Sequence, residues 1–175
     1  ATARDESANL ESIAMTDAER IAALEKRLIL LEDREEIRAL RDSYHSCIND
    51  GRYGEIADLC TEDAVVELGY LARYEGWTAI DAGFRGMGER ERFYIKQFIH
   101  SHIINVDGDT GTGTSYLEAR YGRFGVSYLV SGRYDDRYTK VNGKWLFREM
   151  SIEFYYTVPA GVGWTGDERH YLKPR

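Results

Sequence analysis

The second half of the chain consists of long segments that are rich in β-branched and aromatic residues. They cover residues 99–106, 112–121, 126–140 and 144–158. Prolines, which interrupt strands, number only 2 in 175 residues. Asn142-Gly143 lies between the last two segments, and this dipeptide is the strongest short signal for a tight hairpin. The sequence therefore predicts a run of long antiparallel strands.

The first half of the chain has helical periodicity instead. Thr16 followed by Glu19 matches a capping box, and apolar residues then recur at helical spacing. A second cap pattern at Asp33 and Glu36 predicts a bend or restart before a helix that ends near residues 49–51. Four further elements are expected, in the order short helix, two short strands and helix, at residues 53–60, 64–68, 71–75 and 77–88.

Helices first and antiparallel strands afterwards predict an α+β domain. We expect this domain at residues 16–158, with a loose extension at residues 1–15 and a glycine-rich tail at residues 159–175. Both faces of the strand at residues 128–138 carry bulky or charged side chains, because Tyr134 and Asp136 alternate with Arg133 and Arg137. We therefore expect one face against the helices and the other against a cavity or a second subunit.

The charge balance is acidic, with 23 Lys and Arg against 30 Asp and Glu and a net charge of −7. Without a basic cluster, this balance disfavours nucleic acid and anionic membranes as partners. No apolar run reaches the roughly 20 residues of a membrane span, and residues 1–9 do not resemble a signal peptide. Two cysteines, Cys47 and Cys60, are too few for a disulfide framework, which favours a cytoplasmic location.

Histidine is rare in this chain, and two of the four histidines lie close together. His100 and His102 flank Ser101 on one predicted strand, so we expect their side chains on the same face. Such a pair can supply a base, bind substrate or hold a metal ion, but a metal needs a further ligand and is not predicted. A structural role is the alternative. The glycine-rich residues 108–113 precede no helix, so phosphate binding is not expected there.

Tyrosine is abundant, with 13 residues, and can line an apolar pocket while offering hydroxyl groups. Tyr44 lies on the apolar stripe of the long helix, so its hydroxyl needs a partner or a cavity. Asn49 and Asp50 end the same helix, and a carboxylate beside a pocket histidine would raise its basicity. A simple helix end is the alternative reading of these two residues. The candidate pocket tyrosines are Tyr44, Tyr70, Tyr74, Tyr116, Tyr134 and Tyr156.

Several stretches resemble the SnoaL-like superfamily. They are residues 39–51, 61–64, 76–80, 106–109, 132–136 and 142–145, and residues 19–28 are similar to the first helix of its bile-acid dehydratases. The resemblance spans roughly residues 16–157. It implies the cone-shaped α+β barrel of nuclear transport factor 2, scytalone dehydratase and ketosteroid isomerase, in which a curved, mostly antiparallel sheet packs against N-terminal helices.

The resemblance also implies cofactor-free chemistry in a homo-oligomer, often a trimer. A tyrosine and an aspartate on the long helix and a histidine on the first long strand carry that chemistry in the family. Tyr44 matches the tyrosine, whereas Asn49 stands at the aspartate position with Asp50 beside it. Gln97 stands at the histidine position, three residues before His100.

These observations favour a cofactor-independent lyase, of dehydratase or formaldehyde-releasing type, for a hydrophobic aromatic or phenolic molecule. His100 or His102 would abstract the proton, and Tyr44 would assist the departing oxygen. Asn49 or Asp50 would complete the catalytic group. The expected substrate-binding residues are Gln97, His102, Tyr70, Trp77, Tyr116, Tyr134 and Tyr156.

Two other functions remain open at this point. The first is proton transfer of the ketosteroid isomerase kind, which needs a carboxylate base such as Asp50 or Glu118. The second is a non-catalytic domain that binds a small molecule or acts as a scaffold, since a fold does not determine a function.

Overall fold

The computed structural model describes residues 15–89 and 94–164, and its first element is a long helix, α1 (Asp17–Asp50). The capping box forms as predicted, because the Thr16 amide donates to the Glu19 carboxylate at 2.7 Å and the Glu19 amide donates to Thr16 Oγ1 at 3.3 Å. Residues 1–14 and 165–175 lie outside the described residues. The predicted extension and most of the predicted tail therefore fall there.

The predicted restart at Asp33 is wrong, because α1 continues through it. Asp33 Oδ1 accepts hydrogen bonds from Lys140 Nζ at 2.7 Å and from Trp145 Nε1 at 2.8 Å. The carboxylate that resembles a cap in the sequence instead joins the helix to the sheet. The described residues divide into two units between Glu32 and Asp33, and the second unit contains the sheet and the remainder of α1.

Two short 3₁₀ turns, Tyr53–Glu55 and Ala57–Leu59, replace the predicted short helix after α1. The remaining elements, in chain order, are β1 (Cys60–Glu67), β2 (Arg73–Glu75), α2 (Trp77–Gly88), β3 (Tyr94–Asp107), β4 (Thr110–Arg123), β5 (Val126–Val141) and β6 (Lys144–Pro159). The strands form one sheet in the order β2-β1-β6-β5-β4-β3. All neighbours are antiparallel except β1 and β6.

The predicted fold class, α+β with a curved and mostly antiparallel sheet, is confirmed. Val141 pairs with Lys144 across the predicted two-residue turn, where Asn142 and Gly143 have φ of 51° and 78°. Positive φ at both central residues is what such a turn requires. The inner face of the sheet and the apolar stripe of α1, which includes Ile37, form the core.

A β-bulge in β3 determines where its two histidines lie. The register between β3 and β4 shifts between His100 and Ile103, and Ser101 has φ of +49°. The extra residue moves the following side chains to the opposite face. His100 is consequently exposed whereas His102 points inward, so the prediction that they share a face is wrong.

The glycine-rich start of β4 has a packing role. A Cβ atom on Gly113 would lie 2.8 Å from both His102 Nε2 and the Tyr138 hydroxyl. A Cβ atom on Gly111 would lie 3.2 Å from Ile37 Cδ1. The missing side chains therefore leave room for aromatic and aliphatic groups of the core. Over the described residues, no helix has the length and apolar character that crossing a membrane requires.

Candidate active site

A mainly apolar cavity of about 150 Å³ lies between the second half of α1 and the inner face of the sheet. Its wall includes the apolar side chains of Leu68, Met87, Ile95, Leu117 and Ile152. An apolar protein cavity of roughly 150 Å³ is large enough to hold a benzene molecule. The cavity therefore fits a single-ring compound.

Five tyrosines line this cavity: Tyr44, Tyr70, Tyr74, Tyr121 and Tyr134. Four of them were expected from the sequence. Tyr121 was missed, although it follows Leu117 and Ala119 at the strand period of two. Tyr116, which is 39% exposed, lies on the opposite face of β4. Tyr156 instead stacks on Trp164, with ring centroids 4.7 Å apart.

One end of the cavity is polar and consists of Tyr44, Tyr134 and Gln97. The Tyr134 hydroxyl interacts with the Tyr44 hydroxyl and with the Gln97 side chain. Burial raises the pKa of both tyrosines, although the Arg41 guanidinium works in the opposite direction. Both side chains are therefore neutral phenols near pH 7 and can donate hydrogen bonds to a ligand oxygen.

His45, the residue after Tyr44, orients the Gln97 amide. Its Nδ1 lies 2.9 Å from Gln97 Oε1, so the protonated Nδ1 donates and the amide nitrogen is turned away from the ring. The His45 side chain is buried. Burial, with a second contribution from Arg41, lowers the pKa of His45 to about 3. The imidazole is therefore uncharged in the folded protein near pH 7.

Asn49 connects α1 to β3 through the backbone of Gln97. Its Nδ2 donates to the Gln97 carbonyl at 2.8 Å, and its Oδ1 accepts from the Gln97 amide at 2.7 Å. This pairing needs a donor and an acceptor on one side chain, which an amide supplies. Asn49 thus positions β3 and does not line the cavity. Asp50 is exposed beside Ser46, whose Oγ donates to Asp50 Oδ2 at 3.2 Å.

The two strand histidines also lie outside the cavity lining. His100 is in an open outer groove, where its Nε2 lies 3.7 Å from Glu118 Oε2. His102 Nε2 lies 3.2 Å from the Tyr138 hydroxyl, and burial lowers the pKa of His102 to about 4. Trp77, at the start of α2, donates from Nε1 to Asp58 at 3.2 Å.

The structure therefore brings together only part of the predicted site. Tyr44, Tyr70, Gln97 and Tyr134 meet in the cavity. The predicted residues that do not line it are Asn49, Asp50, Trp77, His100, His102, Tyr116 and Tyr156. Within residues 15–89 and 94–164, no group of three His, Cys, Asp or Glu side chains is placed to hold a metal ion.

A buried ion pair supports the polar end from behind. Arg41 Nη2 contacts Asp136 Oδ2, and both side chains are 0% exposed. The guanidinium carbon lies 4.3 Å from the centroid of the Tyr134 ring and 4.6 Å from that of Phe147. Tyr138 also donates to Asp136 at 2.8 Å. The sequence gives no sign of this pair, because residue 41 looks like any charged residue of an amphipathic helix.

The low pKa of His45 predicts acid sensitivity of the fold. The unfolded chain binds a proton on His45 below its ordinary pKa of 6.5, whereas the folded chain does so only near pH 3. Stability is therefore lost as pH falls through this interval. We expect wild type to lose about 2 kcal/mol more than the His45→Gln variant between pH 6.5 and pH 4.5, measured by urea unfolding.

The exposed His100 offers a matched control for this measurement. The His100→Gln variant is expected to follow the wild-type stability profile over the same pH interval. If wild type and His45→Gln lost the same free energy of unfolding between pH 6.5 and pH 4.5, His45 would not be the cause of the acid sensitivity.

Comparison with known proteins places this chain in a family. The profile of the SnoaL-like domain matches residues 30–151. A candidate scytalone dehydratase from Novosphingobium aromaticivorans DSM 12444 has a similar structure, with 21% identity, coverage of 73% of this chain and 87% of that chain, and a TM-score of 0.67.

Two dehydrochlorinase structures are also similar. One is hexachlorocyclohexane dehydrochlorinase LinA-type3 from Novosphingobium barchaimii LL02, with 17% identity and a TM-score of 0.67. The match covers 82% of this chain and 97% of that chain. A type 2 hexachlorocyclohexane dehydrochlorinase (LinA) shares 16% identity with this chain and has a TM-score of 0.70. The match covers 82% of this chain and 95% of that chain. At these identities the likeness concerns the fold. The family profile covers most of the described sheet and helix α2, and the chain belongs to the SnoaL-like domain family.

Proposed function

We propose that this chain is a cofactor-independent lyase that acts on a compact hydrophobic molecule, aromatic or phenolic, held in the tyrosine cavity. The observation that carries the proposal is a mainly apolar cavity with Tyr44, Tyr134 and Gln97 at one end. Apolar walls hold a ring, and a few convergent polar groups orient one oxygen atom. The family, which includes enzymes of this cofactor-free kind, agrees with that reading.

The tyrosine pair can move protons without any other group. In a dehydration, the substrate C–H proton passes to the Tyr44 oxygen while the Tyr44 proton moves to Tyr134. Tyr134 gives its own proton to the departing hydroxyl, which leaves as water, and the C–H electron pair forms the new double bond. Both tyrosines end as neutral phenols. Gln97, held by His45, hydrogen-bonds the Tyr134 oxygen throughout.

The same pair could also release formaldehyde from a hydroxymethyl substituent. The hydroxyl proton would pass to the Tyr44 oxygen while the Tyr44 proton moves to Tyr134. The carbon–carbon bond would break with its electron pair on the ring carbon, and Tyr134 would give its own proton to that carbon, so that both tyrosines end as neutral phenols. This reaction and the dehydration both require an activated carbon, because a phenol is a weak acid and its oxygen a weak base. Substrates with a benzylic or phenolic oxygen meet that requirement.

A binding domain is the second candidate function. Among the described lining residues there is no carboxylate and no imidazole that could accept a proton directly. Proton transfer of the ketosteroid isomerase kind has less support, because Asp50 and Glu118 both lie in the outer groove. Turnover of a bound phenolic compound would favour the lyase, and tight binding without turnover would favour the binding domain.

The first experiment measures ligand selectivity by calorimetry. Wild type is expected to bind p-cresol about tenfold more tightly than toluene, because the phenol oxygen pairs with the polar end of the cavity. The Tyr134→Phe variant is expected to lose this preference. Tyr116→Phe, on the opposite face of β4, is expected to keep it. Equal affinity of wild type for the two ligands would contradict an oxygen-binding role for this end.

A further inference from the structure

The first unit of the chain carries an exposed apolar stripe on α1. Ile21, Leu24, Leu28 and Leu31 are each between 55% and 60% exposed. Their 3–4–3 spacing is that of the a and d positions of a coiled coil. Leucine and isoleucine in a continuous row on a helix normally pack against another surface. This stripe is long enough for such packing, since residues 21–31 span about 15 Å of helix axis.

The charged residues beside the stripe indicate which surface would cover it. Arg20 and Arg27 occupy the g positions, and Glu25 and Glu32 occupy the e positions. In a parallel pair, each g residue faces the e residue five places later on the other helix. Arg20 of one helix then faces Glu25 of the other, and Arg27 faces Glu32. In an antiparallel pair, g faces g and e faces e, so arginine would face arginine and glutamate would face glutamate.

We propose that residues 20–32 pair with the same residues of a second copy of this chain as a parallel coiled coil. The apolar seam supplies the attraction, and the two arginine–glutamate steps select the parallel orientation. Leucine occupies both d positions, and the a positions are Ile21 and Leu28. A β-branched residue at a, as at Ile21, together with leucine at d favours two strands. This inference does not depend on the proposed function.

Cysteine cross-linking tests the pairing and its direction in the full chain. In a parallel pair Leu31 faces its own counterpart, so the Leu31→Cys variant is expected to form a disulfide-linked dimer on mild oxidation. In an antiparallel pair Leu31 would face Ile21, and the two cysteines would be about 15 Å apart along the axis, beyond disulfide reach. The native Cys47 and Cys60 are both buried.

Lys26→Cys is the matched control, because residue 26 is at position f and points away from the seam. It is expected to stay monomeric on a non-reducing gel. A dimer yield for Leu31→Cys no higher than for Lys26→Cys would overturn the proposal. Circular dichroism of both variants would verify that their helix content matches that of wild type.

A series of charge reversals tests whether the arginine–glutamate pairs select the parallel orientation. In the Leu31→Cys background, Arg20→Glu with Arg27→Glu places glutamate opposite glutamate, and the dimer yield is expected to fall at least fivefold at low salt. Adding Glu25→Arg and Glu32→Arg restores the opposite charges and is expected to restore the yield. An unchanged yield across the series would contradict the assigned charge pairing.

Discussion

Replacing Arg41 with Met is expected to lower the free energy of unfolding by about 3–5 kcal/mol. The substitution keeps much of the side-chain volume but leaves the buried Asp136 carboxylate without its cationic partner. It also removes the guanidinium that lies against Tyr134 and Phe147. Urea unfolding followed by fluorescence measures the change.

Two further variants separate charge from packing in this experiment. Arg38→Met removes an exposed arginine of the same helix, which pairs with Glu35 at 3.1 Å, and is expected to change stability by less than about 0.5 kcal/mol. Arg41→Met combined with Asp136→Asn removes both charges and is expected to be more stable than Arg41→Met alone. A loss below about 1 kcal/mol for Arg41→Met would show that the buried carboxylate needs no counter-charge.

Removing the Tyr134 hydroxyl is expected to reduce turnover by a factor of about 10² to 10⁴, the range typical of acid–base catalysis. Tyr134→Phe retains the ring against Arg41 and should leave the fold intact. The assay presents single-ring compounds with a benzylic hydroxyl or a phenolic hydroxymethyl group. It follows the absorbance of a new conjugated double bond or the released formaldehyde.

Two control variants test whether a loss of turnover is specific to the Tyr134 hydroxyl. Tyr116→Phe removes a hydroxyl outside the cavity and is expected to keep turnover within twofold of wild type. His100→Ala is expected to behave in the same way, which reverses the role that the sequence predicted for this residue. Turnover of Tyr134→Phe within threefold of wild type, on a compound that wild type converts, would remove the tyrosine relay from the mechanism.

The elements that the sequence predicts well are those specified by neighbouring residues. The capping box of Thr16 and Glu19 and the hairpin turn at Asn142-Gly143 each depend on four residues or fewer, and both form. Asp33 shows the opposite case. Its local context resembles a helix cap, but its partners Lys140 and Trp145 lie more than 100 residues away in the chain.

The candidate site was predicted in part for the same reason. Helical periodicity placed Tyr44 on the apolar stripe of the long helix, and Tyr134 was predicted as a pocket tyrosine. Both line the cavity. The bulge at Ser101 has no glycine or proline to signal it, so His100 and His102 were assigned to one face. Gln97 and Asn49 were identified through the family resemblance as residues in unusual positions. Their contacts with His45 and with backbone atoms could not be inferred from one sequence.

The paired contact between Asn49 and Gln97 has an evolutionary consequence. If Asn49 alone became aspartate, its carboxylate would face the Gln97 carbonyl, and two acceptors would replace a donor and an acceptor. A carboxylate at residue 49 would thus require a compensating change where β3 meets α1. A histidine at residue 97 would lack the side-chain oxygen that accepts the hydrogen bond from His45. Either substitution alone, toward aspartate at residue 49 or histidine at residue 97, therefore breaks a hydrogen bond that the fold uses. An acid–histidine pair at these positions would need coordinated changes at several residues.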